Sequence, residues 1–300
     1  MRWVRHAIWV IAALVLGACG THLWNSAGGA VPPHSGTGLR VATHNVHYII
    51  LSRETGAWSL QDWETRKPAL DTAFKALDAD LVAFQEMESF ARGSDGSVNL
   101  ARDWLLDRNP DYALAAHGDW QSFPVTQPIF YRKDKLTLRD QGWFFFSDTP
   151  DVIYSRTFNG SWPAFSSWAE FEDRKGRVFR AYNVHFEYRS ASNRRLSAEL
   201  VAKRLTPVVQ SGMPVVVLGD LNVLQGWAAM DRLAEAGLSF LNPPGTTYHL
   251  NAGINLLGAI DHIGLSQQLK SIGGPYVLRG KFSGDWPSDH YPVVADLSFD

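Results

Sequence analysis

Cysteine is nearly absent: Cys19 stands alone in 300 residues, so no intrachain disulfide can form. Charge of one sign is not in excess either. The 28 Lys and Arg against 30 Asp and Glu leave a formal net charge of −2, which lacks the basic excess of a dedicated nucleic-acid binder but leaves room for a local basic groove. The short-spaced Cys and His clusters that zinc asks for are missing. There is no internal repeat. A hydrophobic fraction of 45% against 19% charged residues excludes a disordered chain and fits an ordinary globular one. The 12 Trp can fill a core, line a groove or stack on a ligand, and composition does not separate these uses.

What is present begins at the N-terminus. A short basic start, MRWVRH, precedes the apolar run 7–18, AIWVIAALVLGA. This is the shape of a secretory signal, and the run is well short of the ~20 residues of a spanning helix. Leu16-Gly17-Ala18-Cys19 resembles the lipobox of bacterial lipoproteins. That resemblance implies cleavage before Cys19, lipid on its sulfur and amino group, export, and a membrane partner reached through the anchor. Gly20 carries no Asp-type inner-membrane retention cue, which points to the outer membrane. The small, polar stretch to Gly38 reads as a flexible tether at 19–38. One domain, 39–300, follows, expected to be monomeric.

Periodicity predicts strands over 39–45, 81–85, 128–132, 136–146, 214–218, 259–265 and 291–299. A hairpin about 174–176 joins strands 167–171 and 178–186. Helices are expected over 61–77, 98–106, 227–236 and 194–210, the last interrupted near Pro207. In the first of these, Trp63, Leu70, Phe74 and Leu77 share a side. The aromatic run 143–146 sits in a strand and is expected in the core. Many strands with a few helices between them predict two packed sheets flanked by helices, an α/β fold.

Polar residues recur at the strand ends: Asn45, Glu86, His185, Asp220 with Asn222, Asp261, and Asp289 with His290. Strand ends at one sheet edge converge, and α/β proteins place their sites there. Carboxylate and amide oxygens are hard ligands that suit Mg²⁺, Mn²⁺ or Ca²⁺. Asp220 and Asn222, alternate residues, can face one point. Each residue taken alone reads better as a turn former, a cap or a hydrogen-bonded imidazole than as a functional group. It is their joint occurrence that points to chemistry.

THNVH, FQEME, IFYRKDKL, WFFFSDTP, SSWAEFEDRKGRVFRAYNVHFEYRS, PVVVLGDLN, AIDHIGLS and WPSDHYPVVADL occur in that order. The sequence thereby resembles the endonuclease/exonuclease/phosphatase superfamily over nearly all of 39–299. The resemblance implies a four-layer α/β sandwich, with two packed mixed β-sheets flanked by helices. It also implies a divalent-metal-dependent phosphoesterase that hydrolyses phosphate esters by in-line attack of water. Glu86 is then the main metal ligand, supported by Asn45 and Asp289, for Mg²⁺ or Mn²⁺. Asp220 activates the water, and Asn222 holds phosphate and metal. His290, fixed by Asp261, donates to a phosphoryl oxygen; His185 is a second imidazole at the phosphate, and Tyr131 matches a tyrosine beside it. Pro163-Ala164 stands where close relatives commonly carry Arg. Arg156, Arg189, Arg194 and Arg195 are the cations available to meet a DNA or RNA backbone, with a solvated helix start as the plain alternative for Arg194 and Arg195. A nucleic-acid phosphodiesterase is placed first. A phospholipase-C-like, sphingomyelinase-like or phosphomonoesterase activity is the alternative, and a non-catalytic binding lipoprotein comes last.

The lipobox has its own check. Labelled fatty acid should enter the chain in a lipidating bacterial host and fail to enter Cys19→Ser; label that persists in the variant refutes the resemblance.

Overall fold

The run Val215–Leu218 has no polar residue on either face, as a strand covered on both sides requires. In the computed structural model it is the buried heart of an inner strand. The structure describes residues 2–28, 30–91, 97–160 and 162–300. In chain order the elements are α1 (Arg2–Asn25), β1 (Leu39–Asn45), β2 (Ile49–Ile50), α2 (Leu60–Leu77), β3 (Leu81–Gln85), β4 (Ser89–Phe90), α3 (Leu100–Arg108), β5 (Tyr112–Ala115), β6 (Ile129–Arg132) and β7 (Leu136–Phe145). They continue with β8 (Phe165–Asp173), β9 (Val178–His185), α4 (Ala191–Gln210), β10 (Val215–Asp220), α5 (Ala228–Glu235), β11 (Leu238–Phe240), β12 (Asp261–Ser266), β13 (Leu269–Val277) and β14 (Val293–Phe299).

Two six-stranded sheets form, in the orders β13-β14-β1-β3-β6-β5 and β11-β12-β10-β9-β8-β7. Each is mixed: β1 runs parallel to β3, and β9 to β10, among antiparallel neighbours. One apolar cluster lies between the sheets, with Val41, Phe171, Phe179 and Leu218 among its members. A second lies beneath α2 and α3, and a third beneath α4 and α5. Helix, sheet, sheet, helix is the four-layer order expected. Trp63, Leu70, Phe74 and Leu77 are all buried on α2, and Phe144, Phe145 and Phe146 are core residues.

Helix ends follow side-chain chemistry. Ser59 caps α2 by accepting from Asp62 N at 3.1 Å. The third helix starts at Leu100 rather than residue 98 because Asn99 is its cap, accepting from Arg102 N at 3.1 Å and donating to Met87 O at 2.7 Å. The expected break at Pro207 does not occur: α4 runs on to Gln210. Proline removes one donor there, but so near the helix end that the following turn still closes, with Ser211 N donating to Pro207 O. The strand β13 was hidden by Gly273-Gly274-Pro275, which reads as a turn and is in fact accommodated by register shifts on an edge strand.

The N-terminus departs from a flexible tether. A single helix carries through Cys19 to Asn25, because CGTHLWN contains no proline to stop it, and the chain leaves the helix only at Ser26, whose Oγ donates to His22 O at 2.6 Å. The helical Trp3–Asn25 segment is long and apolar enough to cross a membrane, a test a signal sequence also passes. Beyond it, Arg40 reaches Pro32 O at 3.1 Å, so part of 19–38 is tied to the domain. Met1 and Gly29, within the expected signal and tether, lie outside the described residues.

The sheets are fastened by a chain of buried amides. Thr43 Oγ1 donates to Gln85 Oε1 at 3.1 Å, and Gln85 Nε2 donates to Asn183 Oδ1 at 2.7 Å. Asn183 Nδ2 donates to Phe84 O at 2.7 Å and Gln127 O at 3.1 Å, and Ser167 Oγ also donates to Gln127 O, at 2.6 Å. At Gly219 a φ of 157 turns the Cβ position toward β9, where a side chain would run into Val184 O. Replacing Asn183 by Leu strands several of these groups without water. Equilibrium urea unfolding should show a loss of about 2–4 kcal/mol, against under ~1 kcal/mol expected if the network were ornamental.

Candidate active site

The strand registers bring the polar ends together. His185 and Asp261 pair with Asp220 from opposite sides, so three side chains share one face of the second sheet. Asn45 and Glu86 come from the adjacent ends of β1 and β3 in the first sheet. The halves meet at Asn45, whose Nδ2 donates to Glu86 Oε1 and to Asp220 Oδ2, each at 3.1 Å. Its Oδ1 accepts from His47 N at 3.1 Å. Glu86 and Asn222, just past their strands, take left-handed conformations with φ of 53 and 51, which turn the chain sharply at the strand ends at some backbone cost. Asn222 N donates to Asp220 Oδ1 at 2.9 Å, while its Nδ2 is committed to Phe186 O at 2.9 Å.

His290 Nδ1 and Asp261 Oδ2 are 2.9 Å apart, and His290 Nε2 lies 3.8 Å from Asp220 Oδ2. His185 Nε2 stands 3.7 Å from Asp220 Oδ2 and 3.8 Å from Glu86 Oε1. A short segment, 246–249, laces this dyad together. Thr247 Oγ1 accepts from Ile260 N and Asp261 N, Tyr248 bridges to His290, and His249 N donates to Asp289 O at 2.9 Å. Ser288 joins the sheet to the dyad, since its Oγ donates to Asn45 O at 2.6 Å and accepts from His290 N at 3.2 Å.

Electrostatics divide the imidazoles. Burial disfavours a charged His290, but Asp261 and Asp220, with the Asp261 hydrogen bond, hold its pKa well above the usual value. Burial and the Asp261 charge push Asp220 up to about 6, although His290 and His185 pull it back. Burial opposes ionisation of Asp289, yet its pKa lies below the ordinary value because the His290 charge is beside it. Burial, and then the Glu86 charge, push Glu88 up to about 7. His44 falls to about 3, and His47 and His249 to about 4, mainly through burial. These three are neutral spectators.

Sequence reasoning named Asn45, Glu86, His185, Asp220, Asn222, Asp261, Asp289 and His290, and the structure gathers them at one edge. Tyr131 is the exception. It pairs with Leu81 at the start of β3, five residues before Glu86, or about 16 Å along the strand. Its ring packs on Phe171 at 5.1 Å in the core. Because β6 runs antiparallel to β3, a residue late in β6 lies at the wrong end. The tyrosines near the carboxylates are Tyr48 and Tyr248, both half-buried. Burial, with the charges of Glu86 and Asp289, raises both phenol pKa values and keeps them donors. Arg66 was also missed. It is buried and donates to Val46 O, His47 O and Pro287 O, so it fixes the loops behind Asn45 and Asp289.

Of the proposed backbone-binding cations, Arg194 is buried and donates to Glu187 O and Tyr188 O at 3.0 and 2.7 Å. It is neither a groove cation nor a solvated helix start. Arg195 is exposed and paired with Glu199, while Arg189 lies over the Tyr188 ring. Ala164 packs on the core beneath α4.

A family model described as Endonuclease/Exonuclease/phosphatase family matches residues 23–290. The chain belongs to that family. Among solved structures, an endonuclease/exonuclease/phosphatase family protein from Bacteroides thetaiotaomicron is 25% identical, with a TM-score of 0.70 over 89% of this chain and 100% of that one. A mannosyl-6-phosphatase from the same species is 25% identical, with a TM-score of 0.68 over 87% of this chain and 100% of that one. The human Nocturnin catalytic domain, solved with a bound sulfate anion, shares the fold at 19% identity, with a TM-score of 0.60 over 88% of this chain and 95% of that one. No curated protein matches the chain.

Within this family member, the neutral imidazoles set an acid sensitivity. A histidine whose folded pKa is depressed stabilises the fold above its unfolded value of about 6.5 and loses that contribution as pH falls below it. Asp220 and Glu88, raised, act with the opposite sign. The His44→Leu difference removes the most depressed of these imidazoles, whose shift is set first by burial. Urea unfolding at stepped pH should show the variant gaining on the parent by about 1.4 kcal/mol per unit from pH 6.5 toward 4; parallel profiles would contradict a buried neutral imidazole.

Proposed function

We propose that the chain is a divalent-metal-dependent phosphoesterase in which Asp220 activates water and His290 stabilises the negative charge that develops on the phosphoryl oxygens in the transition state. The observation that carries it is the Asp261–His290–Asp220 line, with spacings of 2.9 and 3.8 Å, at the edge where Glu86 and Asn45 close the site. Asp220, with a pKa of about 6, is ionised at neutral pH and basic enough to take a proton from water. His290, held charged by Asp261, donates to a phosphoryl oxygen as negative charge gathers there. Tyr48 and Tyr248 take the place beside the phosphate that Tyr131 cannot fill.

A metal fits the donor set. Glu86, Asp220 and Asp289 offer only oxygen, Asn45 adds an amide, and Asp261 Oδ1 is buried without a partner. Asp220, Asp261 and His290 place potential ligand atoms within 4.8 Å of one another. A protonated His290, however, has no lone pair to give, so Glu86, Asn45 and Asp289 are the better holders. Mg²⁺ or Mn²⁺ there would supply charge against the growing phosphoryl and leaving-group oxygens.

For substrate, we place small phosphate esters ahead of polynucleotides. A polyanion needs a row of cations. Arg194 is spent on loop carbonyls and position 164 has none, while one similar structure is a mannosyl-6-phosphatase. Hydrolysis of a nitrophenyl phosphate should need Mg²⁺ or Mn²⁺, stop in chelator and vanish in folded Glu86→Ala. Asp261→Asn and His290→Ala should each cost about 10²–10⁴-fold in kcat/KM, and the double variant little more. Full activity in excess chelator removes the metal, and plasmid DNA cut faster than sugar phosphates restores the nuclease reading.

A further inference from the structure

The segment after the dyad's lacing strand is unusual for a surface loop. Leu250, Ile254, Leu256 and Leu257 are 53%, 40%, 43% and 49% exposed within eight positions. Such a cluster is a contact surface rather than scatter. The loop is also built to hold its shape. His249 O accepts from Ala252 N and Ile254 N, His249 Nδ1 accepts from Gly253 N at 3.3 Å, and Gly253 lies so close to the Trp286 ring that a Cβ would meet it at 2.7 Å. The leucines are therefore presented outward from a braced turn.

What covers them is indicated by α1, whose last turn is rooted in the same loop. Asn255 N donates to His22 Nδ1 at 3.0 Å, and Asn255 Nδ2 to Ser26 Oγ at 2.8 Å. Thr246 N donates to Asn25 O at 3.1 Å and Arg279 Nη1 to Ala27 O at 2.5 Å. From this root the helix extends away from the domain, with its apolar length not buried against it. Its 23 residues Trp3–Asn25 measure about 35 Å, enough for a ~30 Å hydrocarbon layer. The point at which the chain would enter a bilayer and the apolar loop are thus one place on the surface.

We propose that the 250–257 loop is a lipid-surface contact that seats the domain on a bilayer entered by α1. In a chain cleaved before Cys19 and lipidated there, the anchor would replace the lost helix at the same place, since Cys19 is one helical turn from His22. Tyr248, two residues before Leu250, bridges to His290, so the contact brings the catalytic edge to the headgroup layer. The proposal concerns placement and stands apart from the phosphoesterase reading.

The test uses the full chain in phosphatidylcholine–phosphatidylglycerol vesicles, with Cys19→Ser to leave one reporting thiol. A nitroxide is attached at Leu256→Cys, at Ile254→Cys, or at Lys175→Cys on the β8–β9 turn as the far-side reference. Collisional broadening by oxygen against a water-soluble nickel chelate reports depth. Nitroxides at 256 and 254 should show an oxygen-to-nickel ratio several-fold above that at 175. Nickel accessibility equal to that at 175 overturns the proposal, as does spin–spin broadening that shows a second copy covering the loop. Agreement between the two loop positions guards against a local folding defect at either.

Discussion

A 2.7 Å hydrogen bond between two buried amides, Gln85 and Asn183, ties together the two sheets whose ends meet at the polar cluster. The site has no single scaffold. Asn45, Glu86, Asp289 and His290 come with the first sheet, whereas His185, Asp220, Asn222 and Asp261 come with the second. Apolar packing between sheets favours contact but tolerates sliding, and directional bonds do not. Gln85 immediately precedes Glu86, and Asn183 lies two residues before His185, so the fastening acts within a strand step of the groups it aligns. Asn45 repeats the joint at the surface of the site by bonding carboxylates from both halves.

Once aligned, the carboxylates repel one another, and the surrounding charges decide which protons stay. Asp261 spends its charge on His290, which raises the imidazole and leaves Asp220 as the group poised near neutrality. Arg66 lies beneath the first sheet's carboxylates with its guanidinium fixed on three backbone carbonyls. The ring pair at 249 and 291 is stacked at 4.1 Å, closing the site's flank with a neutral imidazole that adds no competing cation.

The strand ends were legible because a carboxylate or amide after an apolar run is visible in one dimension, and their joint order is specific. Register is not visible that way. The tyrosine in FYR looked equivalent to a residue at the site, but strand direction puts Tyr131 at the far end of the sheet. Tyr48, just past THNVH, and Tyr248 lie in loops where nothing in one dimension marks a side chain that will face the site, and a helix arginine such as Arg66 ordinarily faces water. Arg194 was misjudged for the same reason: its helix start is covered by the loop whose carbonyls it binds. The glycine- and proline-bearing β13 and the prolonged α1 show the complementary failure, in which local composition suggested a break that pairing or plain helix continuity overrode.

Gly219, in GDLN, lies inside β10 with φ 157, a conformation that turns its Cβ position into Val184 O of β9, so no side chain fits there. That constraint limits how the protein can change over evolutionary time. Any larger residue at 219 would strain the pairing of the two strands that carry His185 and Asp220, so these two side chains cannot be loosened in steps. New substrate preferences must instead arise in the loops beyond the strand ends, where Tyr188 and Trp227 already stand exposed and insertions leave the strand spacing untouched.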